Sequence, residues 1–430
     1  MTDSSVVAPS ARRPGPAPAV ALLVLLTAAT TVALDGPAAA PEVRGLWVVR
    51  TSLRSPAAIQ TLVRDAQASG VNTLMVQVRG RGDAYYRGGV EPRATALGSQ
   101  PTEFDPLAET LRVARAAGLA VHAWVNVNLV SSATDLPASR AHVVNRYPEW
   151  LMVPRALGTE FARLEPHNPA YVGKLARWTR AQSNVEGLFT SPLHPDAAAH
   201  TAGVITDIVS RYAVDGVHLD YVRFPNADFD YSPTALAAFR ESVLPDLPSP
   251  ERARLDARLR IDPFIYADTF PVRWASFRRS RLTAFVMRVR SAVREARPDA
   301  VLSAAVFPGV DDAWGTRLQD WRLWVENGLV DAVCPMIYTP DATVFAEQLA
   351  EATRVAGPAS VWAGIGAYRL SPPQTVANIT TARALGTRGV LLFSYDSMVE
   401  ASERGADYLG FVGRSAFGSA AAAAEGARQP

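Results

Sequence analysis

The sequence predicts an α/β protein: a (β/α)8 TIM barrel in a single domain, with a long loop insertion after strand 3. Three observations carry that reading. Eight strand-like runs alternate with helix-like runs, without an internal repeat or a second domain. Within the strand-like runs an aliphatic row alternates with a row that turns polar towards the C-terminal end. The turn after the first strand, RTSLRS at 50–55, lacks the glycines that an open doubly wound sheet would want there.

The elements follow in order. The first strand, Val43–Val49, leads to an amphipathic helix, Pro56–Ser69, ending at Gly70. In the second strand, Asn72–Arg79, Leu74, Val76 and Val78 face out while Met75, Gln77 and Arg79 face in. A loop, Gly80–Gln100, precedes the helix Pro106–Ala117, which Gly118 stops. The third strand, Leu119–Asn128, sets Val121, Ala123, Val125 and Val127 against His122, Trp124, Asn126 and Asn128. Leu129–Ala199 reads as the longest irregular section, and its aromatic content argues against disorder.

A helix, Thr201–Ala213, enters the stretch DGVHLDYVRFP at Asp215–Pro225, the fourth strand. There Val217 and Leu219 face out, and Gly216, His218 and Asp220 face in. A long helical region follows, best patterned over Arg278–Arg297. The fifth strand is Asp299–Phe307, with the helix Leu318–Asn327 after it. Leu329–Tyr338 is the sixth strand and Ala342–Val355 its helix; Ser360–Gly366 is the seventh, with Pro373–Leu385. Gly389–Tyr395 is the eighth, and Glu400–Tyr408 closes the set.

Residues 1–40 are expected to be a signal peptide or N-terminal anchor. Arg12 and Arg13 precede the apolar run Ala19–Leu34, about 16 residues against the roughly 20 of a membrane span. Ala38 and Ala40 offer a cleavage site, which Pro41 disfavours; an uncleaved anchor is the alternative. Export, to the periplasm or outside the cell, is the expected destination. The barrel is expected over 41–412, and 413–430 as an Ala/Gly-rich flexible tail. Apolar residues make up 48% of the 430, enough for a large core, and the net charge of +2 is spread without a basic patch, so no nucleic acid partner is expected. The sole cysteine, Cys334, sits in a strand-like run and reads as a buried, inert thiol. No metal spacing is evident, and no cofactor is expected.

At the barrel's mouth the strand ends converge. They offer Trp47 from strand one, Gln77 and Arg79 from strand two, and Asp83 and Tyr85 just beyond. Strand three gives Trp124 and Asn126, and strand four gives His218, Asp220, Tyr221 and Arg223. Tyr338 ends strand six, and Tyr395 and Asp396 end strand eight. Aromatics, amides, arginines and carboxylates enriched at one end suit a carbohydrate, because sugar rings present C–H faces to aromatics and hydroxyls to polar groups. Asp220 is the first catalytic candidate, as nucleophile or base; its bland alternatives are to cap the next helix or to pair with Arg223. For the second carboxyl group the order is Asp83, Asp396, then Asp311 or Asp312, with Glu149 reaching over from the insertion. Arg79, Asn126 and Arg223 are expected to position the sugar, or Arg79 and Arg223 to serve an ion-pair network.

Several motifs together resemble the bacterial glycosyl-hydrolase-like 10 family: RGLWV at Arg44–Val48, QVRGRGDAYY at Gln77–Tyr86, PEW at Pro148–Trp150, DGVHLDYVRFP, and GLVDAVCPMIY at Gly328–Tyr338. The resemblance covers roughly Glu42–Leu409. It implies a (β/α)8 barrel, export, and hydrolysis of a bacterial envelope polysaccharide, peptidoglycan glycan strands among the suggested substrates. A glycan-binding barrel without catalysis is the alternative.

Overall fold

The computed structural model describes residues 41–403, 405 and 407–418, together with Gly15. The expected signal or anchor, residues 1–40, lies outside the described residues apart from Gly15. Eight parallel strands close into a barrel in chain order: β1 Val43–Val48, β2 Thr73–Arg79, β3 Ala120–Asn126, β4 Gly216–Asp220, β5 Val301–Val306, β6 Ala332–Ile337, β7 Trp362–Ile365 and β8 Gly389–Phe393. Closure comes from β8 pairing with β1, Val43 opposite Gly389 and Trp47 opposite Phe393. Closing the sheet leaves no unpaired edge and aims all eight strand ends at one mouth.

Side-chain parity follows from the two-residue strand repeat. The outward rows, such as Leu74, Val76 and Val78 on β2, join the main core with the surrounding helices. The inward rows fill the barrel with a separate cluster of Trp47, Met75, Trp124, Cys334, Trp362 and Leu391. Two glycines make room for it. A Cβ on Gly364 would stand 2.5 Å from the Pro335 carbonyl and 3.0 Å from the Trp47 ring; one on Gly216 would stand 2.3 Å from the His122 ring. Cys334 is fully buried, and burial pushes its thiol far above the usual range.

Several elements differ from the sequence expectation. Residues 129–194 are not irregular. Leu129–Ser131 pairs antiparallel with Leu188–Phe189, and the helices Val143–Arg146, Arg155–Phe161 and Ala170–Arg180 pack between them. This insertion has its own small core, where Trp150 stacks on Tyr147 at 4.0 Å. The helix after it begins at Pro195, a residue preorganised for a first helical turn, and runs to Arg211. Pro271 likewise starts a helix that continues to Ala296. Asp320 accepts from the Leu323 N–H at 3.3 Å and so starts the next helix at Trp321, and a separate helix, Val310–Gly315, precedes it. At the C-terminal end Gly413–Phe417 continues the helical structure of Tyr408–Val412 past residue 412, where the tail is expected to begin. Phe417 is buried, and its carbonyl accepts from Arg44 at 3.3 Å. Among the described residues no helix is long and apolar enough to cross a membrane.

Candidate active site

The mouth holds a cavity of about 790 Å³, within the range of small-molecule sites. Trp47, Gln77, Trp124, Asn126, Asp220, Tyr221, Arg223 and Tyr338, all expected there, line it. One wall is aromatic. Tyr338 stacks on Phe393 at 5.4 Å, and Tyr368, half exposed, meets Tyr338 edge-on at 5.9 Å. Trp47 completes the wall, its ring 6.1 Å from Phe393.

Asp220 ends β4 at the cavity floor and is 8% exposed. Its Oδ1 accepts from the Tyr221 N–H at 2.7 Å, and its Oδ2 from the Trp124 indole N–H at 3.1 Å. Tyr221 adopts φ 50°, a left-handed conformation uncommon for a bulky residue. Burial pushes the Asp220 carboxyl up to about 6, although the Tyr221 N–H, the Arg223 charge and the Trp124 N–H all favour the charged form. Desolvation thus outweighs the neighbouring Arg223 cation. A carboxyl group poised near 6 can exchange protons at neutral pH.

A polar chain braces this group. Arg50 donates to Gln77 Oε1 at 2.7 Å, and Gln77 donates weakly to Asn126 Oδ1 at 3.4 Å. Asn126 donates to the Gly80 carbonyl at 2.8 Å and accepts from the Trp124 N–H at 3.0 Å. Two guanidinium groups, of Arg50 and Arg81, line this side of the cavity. Among the described residues neither has a carboxylate within ion-pair distance. Burial lowers the pKa of Arg81, which is the cost of holding a charge without a counter-ion.

The cavity also carries acids. Arg223 donates to Glu186 at 2.5 Å, and its guanidinium lies over the Tyr221 ring at 4.8 Å and the Phe307 ring at 5.1 Å. Glu186 and Asp312 both line the cavity. Asp312 was the third-ranked candidate. Glu186 escaped sequence reasoning because it lies deep in the insertion, and only the pairing of Leu188–Phe189 with Leu129–Ser131 returns it to the mouth.

Other expected site residues are spent elsewhere. Asp83 folds back so that its Oδ1 accepts from the Arg81 N–H at 3.0 Å, closing a turn outside the cavity lining. Asp396 accepts from the Val49 N–H at 3.0 Å and from the Thr51 and Ser52 hydroxyls at 2.9 and 2.7 Å, tying the last helix to the turn after β1. Tyr395 opens that helix, because β8 ends at Phe393, and donates to Asp65 at 2.9 Å. Tyr85 is buried beneath the mouth. His218 lies under the cavity, where its Nε2 accepts from the Trp47 indole at 2.9 Å and its Nδ1 faces Ser303 at 2.9 Å. Burial holds His218 neutral, with its pKa lowered to about 3.

Arg79 does not reach the cavity. It forms a buried fork with Glu91 at 2.6 and 2.7 Å, and it donates to the carbonyls of Asn126 and Val127. Glu149 faces His167 at 3.9 Å within the insertion. Among the described residues no group of three or more His, Cys, Asp or Glu side chains is gathered as a metal site.

Comparison with known proteins agrees with this geometry. Residues 42–368 match the model of the glycosyl hydrolase-like 10 family. Glycosyl hydrolase YngK of Bacillus subtilis is 23% identical over 64% of this chain and 48% of its own length. Glycosyl hydrolase DigH of Escherichia coli is 26% identical over 64% of this chain and 56% of its own. The chain thus spans about half the length of these curated relatives. Among solved structures, the PgaB (BpsB) glycoside hydrolase domain from Bordetella bronchiseptica aligns with a TM-score of 0.58 at 16% identity, covering 86% of this chain and 99% of that one. Gan42B, a GH42 β-galactosidase from G. stearothermophilus, aligns at 0.55 and 13% identity, covering 87% of this chain and 56% of its own. At such identities these likenesses establish the barrel fold.

Proposed function

The chain belongs to the glycosyl hydrolase-like 10 family, and from that premise we propose that it hydrolyses glycosidic bonds of a bacterial envelope polysaccharide. The observation that carries this reading is Asp220, a carboxyl group buried under an aromatic wall and poised at about 6. Such a group can protonate a leaving oxygen and then take a proton from water. Glu186, paired with the Arg223 cation at 2.5 Å, is the second carboxyl group for the two-carboxylate mechanism, as nucleophile or as base for water. Asp312, on the same cavity, is the reserve for that role.

Peptidoglycan glycan strands are the finer proposal. Their muramic acid units carry a carboxylate when no peptide is attached. The unpaired Arg50 and Arg81 guanidinium groups suit that anion. Export through the N-terminal segment would bring enzyme and substrate together. The test is to incubate the purified protein with peptide-free glycan strands and assay new reducing ends. Binding without new ends would replace hydrolysis by a glycan-binding role, and ends absorbing in the ultraviolet would indicate a lyase.

A further inference from the structure

The chain has nine tryptophans, and Trp314 alone of them is exposed, at 48%. It lies on the short helix Val310–Gly315, which follows β5 at the mouth end of the barrel. That helix separates two cavities. Gly309 and Asp312 line the main one, whereas Val310, Asp311 and Trp314 line a second cavity of about 470 Å³.

The exposed ring is fixed in place. The Arg279 guanidinium, on a residue only 8% exposed, sits 3.7 Å from the indole centroid and donates to the Trp314 carbonyl at 3.4 Å. One face of the indole is therefore sealed by a cation, and the other is left open. Its neighbours in the second cavity are mixed: Asp311, Asp320, Arg322 and Glu326 stand beside the apolar Val310 and Leu323. Asp311 is without an ion-pair or hydrogen-bond partner among the described residues. A rigid aromatic face with the free Asp311 carboxylate on the same cavity fits a sugar, which offers C–H groups to the ring and hydroxyl donors to a carboxylate; Asp320 is already taken by the Leu323 N–H, and Glu326 by Arg322.

We propose that Trp314 and the cavity beside it form a distal saccharide subsite, which holds further units of the same glycan chain whose scissile bond lies at Asp220. The shared helix supplies the continuity between the two cavities. The proposal rests on the polysaccharide reading above and adds to it that the site prefers long chains.

The experiment uses size-fractionated, peptide-free glycan fragments of peptidoglycan, disaccharides against chains of about ten sugars, with the wild-type chain, Trp314→Ala and Trp314→Phe. Trp314→Ala should raise KM for the long fragments about three- to tenfold, the range that stacking contacts give. Its kcat should stay unchanged, disaccharide kinetics should move less than twofold, and Trp314→Phe should retain most of the long-fragment preference. Calorimetric binding of the same fragments to Asp220→Asn, with and without Trp314→Ala, reads the subsite separately from turnover. Absence of cleavage at every length would defeat the hydrolase reading, while the binding comparison would still decide on Trp314. Equal effects on short and long fragments, or no effect of Trp314→Ala on long-fragment binding, would overturn the proposal.

Discussion

Replacing Glu91 by glutamine removes the counter-ion of the most deeply buried cation in the barrel wall. The Arg79–Glu91 pair closes at 2.6 Å with both side chains at most 2% exposed. Burial by itself pushes the Glu91 carboxyl up, but the Arg79 charge and hydrogen bonds from His200 and Arg79 outweigh it and hold the pKa at about 2. Against an ordinary 4.5, that gap corresponds to ~3 kcal/mol of stability. Leaving a buried guanidinium without its partner costs about 3–5 kcal/mol by a separate route, so the two figures agree. A fold of this size shifts by about 1–2 °C per kcal/mol, so Glu91→Gln should melt about 3–10 °C below wild type at pH 7.

The pH dependence has a definite sign. A depressed carboxyl pKa gives stability that is fully present above about 4.5 and is lost as pH falls towards 2. The gap between Glu91→Gln and wild type, read as urea midpoints, should therefore narrow from pH 7 to pH 3. Arg79→Met/Glu91→Leu, which removes both charges, should recover at least half of the loss. A single variant within about 1 kcal/mol of wild type at pH 7, or a gap unchanged at pH 3, would refute the reasoning.

Three further outcomes are expected. A raised Asp220 pKa means stability that is present below the ordinary 3.8 and lost as pH rises through about 6, so Asp220→Asn should be more stable than wild type by about 1–3 kcal/mol at pH 8 and equal to it near pH 4, measured by urea unfolding. Gly364→Ala drives a methyl to 2.5 Å from the Pro335 carbonyl and 3.0 Å from Trp47, and should lower stability by about 1–3 kcal/mol or prevent soluble expression, whereas a midpoint unchanged from wild type would show that the barrel interior yields. Glu186→Gln, which removes the carboxylate facing Arg223, should lower kcat at least about a hundredfold with a smaller change in KM; equal kcat would move the role to Asp312.

Much of the barrel was legible because parity along a strand is a local property. Met75 and Gln77 against Leu74 and Val76, or Trp124 and Asn126 against Val125, already separate inside from outside. The mouth residues on strand ends, from Trp47 through Tyr338, follow from the same periodicity. What was not legible depends on three-dimensional partners. Asp396 and Asp83 look like free acids in sequence, yet each is used by backbone N–H groups of a nearby turn. Tyr395 was placed inside only because β8 was taken two residues too long. Arg79 faces inward as its parity requires, but Glu91, twelve residues on, claims it before any ligand could. Glu186 sits in a segment whose fold rests on Trp150, Tyr171 and Leu175 packing together, a non-local cluster with no period to read.

The measurement that bears most directly on the central claim is reducing-end release from peptide-free peptidoglycan strands by wild type and Asp220→Asn, with binding of the same strands measured in parallel. Wild type should release new ends with a kcat/KM profile that turns over near pH 6, the ionisation of Asp220 in its buried site. Asp220→Asn should bind the strands with similar affinity, release ends at least about a thousandfold more slowly, and lose that ionisation from any residual rate. Normal turnover by Asp220→Asn, or wild type that binds the strands and never cuts them, would contradict the account.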